Sequence, residues 1–184
     1  MSPWKPIINR AFTPEAFDSY CRLLRWSAWR PQFIVLHNTG TPTLAERPRG
    51  FTPQAIDNLV TYYRDQLGWS AGPHLFVDDR QITVFTPLTT PGVHAPSWNT
   101  VSLGVEMLGN YSTEDFHRGR GLHVHRNAVA AIATLSVVLA LDSSTMRLHH
   151  EDPQTTHRDC PGAQVVKLDF IREVHQRLLH LPQC

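Results

Sequence analysis

Short runs of strand-forming residues alternate along this chain with segments of helical periodicity, and that alternation restricts its fold more than any other feature. Phe33-Ile-Val-Leu36 is a strand-forming run that ends at His37. Leu75-Phe-Val77 and Ile82-Thr-Val-Phe85 flank Asp78-Asp-Arg-Gln81 and read as a hairpin. Val101 to Leu108 and Met146 to Leu148 supply two further strands. Between them lie helices. Thr13-Pro14-Glu15 and Thr52-Pro53 are helix starts, a capping hydroxyl followed by proline in the first turn. Ile56, Leu59, Val60, Tyr63 and Leu67 make one apolar face after the second start. Asn127 is expected to cap an apolar helix, and Leu168 to Leu179 to form a closing amphipathic one. Strands interleaved with helices predict an α/β fold, a single domain over residues 1–184 with a central mixed β-sheet flanked by helices.

A chain of 184 residues suffices for one substantial core and is short for two. A formal net charge of +1 gives no electrostatic reason to bind nucleic acid or an anionic membrane. The most apolar run, Ala128 to Leu141, is too short to span a bilayer, so no transmembrane segment is expected. The opening MSPWKPIINRAF lacks the apolar core of a secretory signal. Three cysteines, an odd number, argue against a full disulfide framework, although Cys21 and Cys184 could pair if Cys160 binds metal.

The chemistry concentrates in HHEDPQTTHRDCPG, His149 to Gly162. His37 and His149 both lie where a predicted strand gives way to a loop, the usual place for a site in an α/β sheet. Cys160 follows His149 by eleven residues and precedes a Pro161-Gly162 turn. Two imidazoles and one thiolate form a three-ligand zinc set whose fourth tetrahedral position stays open, the catalytic pattern. Glu106, inside Leu103-Gly-Val-Glu-Met-Leu108, is an acid among residues expected to be buried. Such an acid is either half of an internal ion pair or a base tuned by desolvation.

Four segments in order give this a family. FIVLHNTG, WSAGPHLFVDD with QITVF, GVHAPSWNTVSLGVEMLG and LHHEDPQTTHRDCPG together cover most of residues 33–162. In this motif-bearing core the chain resembles zinc-dependent N-acetylmuramoyl-L-alanine amidases, the group that includes amidase-type phage lysozymes and peptidoglycan recognition proteins.

That resemblance implies one Zn2+ per chain held by His37, His149 and Cys160. The family places a histidine first and a polar residue next, which favours His149 over His150 as the ligand. Glu106 matches the strand glutamate that activates water in part of the family. His157 and Arg158 lie where relatives carry a side chain facing the substrate carbonyl, and the choice between them stays open. His74, His94, Trp98 and Asn99 are expected to line the substrate groove, with Trp98 equally suited to core packing. One departure stands out: Pro73 occupies the place where many relatives have a tyrosine that assists catalysis. His117, His123 and His125, among Arg118, Arg120 and Arg126, are expected to form a flexible polar loop.

The implied activity is hydrolysis of the amide between N-acetylmuramic acid and L-alanine, on intact peptidoglycan or on a soluble muropeptide. Residue chemistry alone reaches only metal-assisted hydrolysis. Two alternatives stand beside it: a non-catalytic peptidoglycan-binding module, and a cell-wall hydrolase with Cys160 as nucleophile. With no secretory signal, synthesis in the cytoplasm fits both a recycling enzyme and a lysin that reaches the wall through a separate membrane pore.

Overall fold

Among the described residues, 3–26 and 29–181 of the computed structural model, six strands form one mixed sheet. They are β1 (Arg10–Phe12), β2 (Phe33–Asn38), β3 (Leu75–Val77), β4 (Ile82–Val84), β5 (Ser102–Met107) and β6 (Arg147–Leu148). The helices are α1 (Pro14–Leu23), α2 (Pro53–Thr61), α3 (Gly119–Leu139) and α4 (Lys167–Leu178). Spatial order is β1-β4-β3-β5-β2-β6. The pairs β1–β4 and β4–β3 are antiparallel, whereas β3–β5, β5–β2 and β2–β6 are parallel. The expected single α/β domain around a mixed sheet is the fold.

Period-2 alternation divides the sheet into two chemically different faces. On one, Ile34, Leu36, Leu103, Val105 and Met107 point into the core. Against them lies α3, which buries Val124, Ala128, Ala131, Ile132 and Leu135 and packs along its length on α1 and α4. Each fully buried Leu, Ile or Val there contributes roughly 1.5–3 kcal/mol relative to an exposed one. On the other face, His37 and Glu106 emerge beside Phe76, because His37 pairs with Glu106 and Phe76 pairs with Glu106 across the adjacent ladders. That face carries the polar chemistry.

Local signals behave as their chemistry dictates. Thr13 and Thr52 cap α1 and α2, their hydroxyls accepting from Ala16 N–H and Ala55 N–H. Other expectations change. Asn127 does not begin the apolar helix: α3 starts eight residues earlier, at Gly119, and Asn127 Nδ2 donates to Asp78 O at 2.9 Å from within it. The supposed polar loop is therefore mostly the first turns of α3. Gly121, Val124, His125 and Ala128 form its buried stripe, and Arg120 pairs with Asp79 at 2.8 Å. The basic residues masked a helical period that the apolar ones define.

Smaller differences have similar causes. His37 lies inside β2, one residue before its end. After α2 the chain makes one π-helical turn, Tyr62–Gln66, which throws Leu67 out of the apolar face to 40% exposure. The edge strand β1 carries too few residues to announce itself. Cys21 is buried and free, and Cys184 lies outside the described residues. α3 is long and apolar enough to cross a membrane, yet 67% of its apolar window is buried inside the protein, as befits a core helix.

Candidate metal centre and groove

Three elements converge on one point of the polar face. β2 delivers His37, a 3-10 turn directly after β6 delivers His149, and the loop before Pro161-Gly162 delivers Cys160. One ligand atom from each lies within 4.8 Å of the others. Gly162 is required where it stands: its φ is +105°, and an added Cβ would come within 2.4 Å of the Tyr111 backbone. The Pro-Gly turn thus seats the cysteine loop against the segment that follows β5.

The ring nitrogens of both histidines are committed by their surroundings. His94 Nε2 lies 3.3 Å from Ser102 O, a pure acceptor, so that nitrogen carries the proton. His94 Nδ1 then accepts, and the His37 Nε2–H donates to it at 3.0 Å. His37 is left with a free lone pair on Nδ1. His149 Nε2 is likewise engaged, 2.9 Å from Thr155 Oγ1, a hydroxyl that also accepts from His157 N–H. Burial first, then the neighbouring His149, holds the His37 imidazole well below its ordinary range. Burial, then His157, holds His149 at about 4. Both are neutral at physiological pH, the form that binds metal.

Cys160 Sγ accepts from Asn38 N–H at 3.3 Å. Burial and the nearby Glu106 carboxylate push its thiol well above the usual range. A thiol so disposed is a poor nucleophile by itself; a bound cation would convert it to thiolate. The donor set of two neutral imidazoles and one thiol therefore fits a metal ion. His150 is exposed and faces away from the cluster, its N–H and Nδ1 both directed to Cys160 O. His149 has already left β6, and the 3-10 turn that begins with it separates the two histidines.

A groove of about 1050 Å3 opens over the cluster. His37, Glu106, His149 and His157 line it, with Tyr62, Tyr63, Leu67 and Trp69 along one wall. The Glu106 side chain has no hydrogen bond or ion pair among the described residues, which removes the internal ion pair from consideration. Burial pushes its carboxyl up to about 8.

The remaining candidates divide. His157 lines the groove with its ring 5.5 Å from that of His149. Arg158 lies outside the groove, its guanidinium directed to the carbonyls of Asp152 and Pro153. Asn99 reaches the groove wall, but its Oδ1 is occupied by the N–H groups of His94 and Ala95. His94 is at the groove floor and bonded to His37. His74 is fully buried between Gly104 N–H and Thr90 O, so it supports the sheet and does not reach the groove. Trp98 also lies outside, packed edge-on to Phe33 and under the Arg147 guanidinium. The loops holding Trp98 and His149 are tied together by Asp152, which accepts from Ser97 N–H.

Sequence reasoning passed over Thr155, Tyr63 and Trp69. Thr155 sits two residues from His157 inside the richest segment, yet a hydroxyl gives no signal of which ring it holds. Tyr63 and Trp69 stack 5.0 Å apart on the groove wall. They read as helix core and loop until the π-helical turn rotates them.

A family model described as N-acetylmuramoyl-L-alanine amidase matches residues 27–163. The chain belongs to that family. The match contains all of the convergent cluster. Among curated proteins, Peptidoglycan-recognition protein SC2 of Drosophila melanogaster is 29% identical over 83 residues, covering 44% of this chain and 44% of that protein. The chain thus aligns with under half the length of that relative. In fold, this family member is similar to the endolysin amidase LysCS of Clostridium intestinale URNW. The TM-score is 0.63 at 21% identity, over 95% of this chain and 91% of that one. It is also similar to Drosophila PGRP-LB, with a TM-score of 0.58 at 18% identity, over 76% and 85% of the two chains.

Proposed function

We propose that the protein is a zinc-dependent peptidoglycan amidase that hydrolyses the bond between N-acetylmuramic acid and the L-alanine of the stem peptide. One observation carries the reading: His37, His149 and Cys160 converge within 4.8 Å on the face that also bears the unpaired Glu106. His37, His149 and Cys160 would hold the ion. Zinc bound there supplies Lewis acidity, polarising a carbonyl and lowering the pKa of water toward about 7.

The chain's own residues do the rest. Glu106, unpaired and desolvated, holds its own proton near neutral pH without a cation; ionised by the charge of a cation bound beside it, it would take the proton of the attacking water and pass it to the departing amine of L-alanine. His157, at the groove rim, donates to the carbonyl oxygen as negative charge gathers on it. His94 holds the His37 ring in the tautomer that leaves Nδ1 free, and Thr155 orients the His149 ring. The aromatic wall of Tyr62 and Trp69 offers apolar faces to a sugar ring.

Two measurements test this. Metal analysis should find about one zinc per chain, and chelation should remove activity that added zinc restores. Mass spectrometry of digested sacculi should then show free stem peptides with N-terminal alanine and an unmodified glycan. Products cut elsewhere would reassign the bond; activity that survives in metal-free protein and dies on thiol alkylation would make Cys160 the nucleophile.

A second reading has one observation behind it. Pro73 lines the groove, and no tyrosine hydroxyl stands at its position. A purely binding module would hold wall fragments in the same groove without turnover, and the digest distinguishes it directly.

A further inference from the structure

Two histidines and an acid meet where the start of α3 packs on α4, on the far side of the sheet from the groove. His125 lies in the second turn of α3 and is 3% exposed. Its ring stacks on Phe116 at 4.3 Å and on Phe170 at 5.3 Å, which fixes its plane. Both ring nitrogens are enclosed by protein, and neither has a hydrogen-bond partner. Burial, then His117 and Arg126, holds the imidazole at about 4, so it is neutral at physiological pH. A neutral imidazole carries one donor and one lone pair, and burying them unused is costly.

Glu173 of α4 stands beside that ring. Its Oε2 lies 3.3 Å from His125 Nε2, yet out of line for a hydrogen bond. With the imidazole neutral, the contact is no ion pair either. The spacing has another meaning: two donors of one tetrahedral zinc ion, with bonds of about 2.0–2.1 Å, stand roughly 3.3 Å apart. His117 supplies a third donor. Its ring centroid is 5.8 Å from that of His125. Imidazoles that share a tetrahedral ion have centroids about 5–6 Å apart. Side chains of a helix lean toward its N-terminus, so His125 leans toward His117, which lies just before α3. The loop bearing His117 is pinned: His117 N–H donates to Asp115 Oδ1 at 2.8 Å, and Phe116 N–H to Gln164 Oε1 at 3.1 Å. Burial pushes the Glu173 carboxyl up, against the pull of His117, Arg126 and Arg172, and Arg172 is itself paired with Asp169 at 2.7 Å.

We infer that His117, His125 and Glu173 form a second metal site, which binds a divalent transition-metal ion such as zinc and clasps the start of α3 to α4. Two imidazoles and one carboxylate suit zinc, nickel or copper better than magnesium or calcium. Two of the donors are in place. The third, His117, is exposed and reaches the ion only after its ring turns, so the three do not converge as those of the His37 cluster do. This site is therefore the weaker of the two and fills on titration, after the groove centre. The Glu173 side chain, 45% exposed, leaves a path from solvent. Because α3 covers the apolar face of the sheet, and His37 and Glu106 leave the other, an ion here takes no part in chemistry in the groove. The inference does not depend on the amidase reading.

The test titrates Zn2+ by calorimetry into protein stripped with chelator and then freed of it. Wild type should take up two equivalents, and Cys160→Ser should keep the weaker one. His117→Ala and Glu173→Gln should each weaken that equivalent by at least about 100-fold, beyond the range for a partner behind a ligand. His123→Ala, which removes an exposed ring from the same helix, should leave it unchanged. In the Cys160→Ser background zinc should also raise the melting midpoint, and adding His117→Ala should abolish the rise. A second equivalent that survives both His117→Ala and Glu173→Gln overturns the inference. So does uptake that never saturates, the mark of scattered surface histidines, or a wild type that stops at one equivalent held by Cys160. A single equivalent that disappears with His117→Ala and persists in Cys160→Ser sinks the zinc-amidase reading and leaves this site.

Discussion

His37 and Glu106 stand opposite each other in the parallel ladder of β2 and β5, so an imidazole and a carboxylate leave the sheet on the same face from adjacent strands. Neighbouring strands are only roughly 4.8 Å apart. The sheet itself therefore sets the proposed base beside a proposed metal ligand, and no loop has to be ordered to bring them together. Glu106→Gln, which keeps the shape and removes the base, should leave zinc content unchanged and lower the rate by about 10²-fold or more. Steady-state kinetics on a muropeptide, paired with metal analysis, checks both halves.

Glu106 also links stability to pH. Burial raises its folded value to about 8 from an ordinary 4.5, so the folded chain holds this proton where the unfolded chain releases it. That contribution is complete below about 4.5 and is lost as pH rises toward 8. His37 and His149, depressed by burial, act in the opposite sense as pH falls below 6.5. The comparison of wild type with Glu106→Gln isolates the carboxyl. In chelator, denaturant midpoints at pH 5 and pH 8 should differ less in the variant's disfavour: the wild type should lose stability relative to Glu106→Gln on going to pH 8. A constant difference between the two proteins would show that the carboxyl titrates normally.

His149 and His150 are neighbours with opposite fates. His149→Ala removes a proposed ligand and should release zinc under mild chelation. His150→Ala removes only an exposed ring bonded to Cys160 O and should keep the metal and most of the activity. Equilibrium zinc titration of the two variants decides it, and the reverse outcome would shift the ligand register by one residue.

In the proposed zinc site His94 would act on the metal through His37. Replacing it with phenylalanine preserves bulk but removes the acceptor at 3.0 Å from His37 Nε2. Zinc affinity should weaken by about 10–100-fold, the range for losing a partner behind a ligand. If His94 served substrate alone, KM would rise and the zinc titration would not move.

Gly104 makes the room that His94 occupies. A Cβ on Gly104 would lie 2.4 Å from His94 Cγ, far inside contact distance. Gly104→Ala should therefore cost about 1–3 kcal/mol of stability through overpacking. It should also weaken zinc binding in the same direction as the His94 variant. Chemical denaturation and metal titration of one preparation test the two effects together.

The sequence by itself determined the features whose physics is local. Thr13-Pro14 and Thr52-Pro53 start helices because a capping hydroxyl reaches an N–H three residues ahead. Alternation in Ser102–Met107 sorts apolar from polar side chains because a strand has a period of two. The identities of His37, His149, Cys160 and Glu106 as candidates were legible for a related reason: few residue types do metal or base chemistry, and these stand in recognisable runs. Tertiary structure alone decided what those residues face. His94 meets His37 across 57 positions of sequence, and Asn38 N–H meets Cys160 Sγ across 122. Contacts at such separations leave no periodic trace for a local pattern to reveal. Asn127 shows the converse, a good cap residue overridden because the buried stripe from Gly121 to Ala128 carries α3 past it. Arg47 reads as one charge in a loop rich in proline and arginine; only packing encloses its Nε.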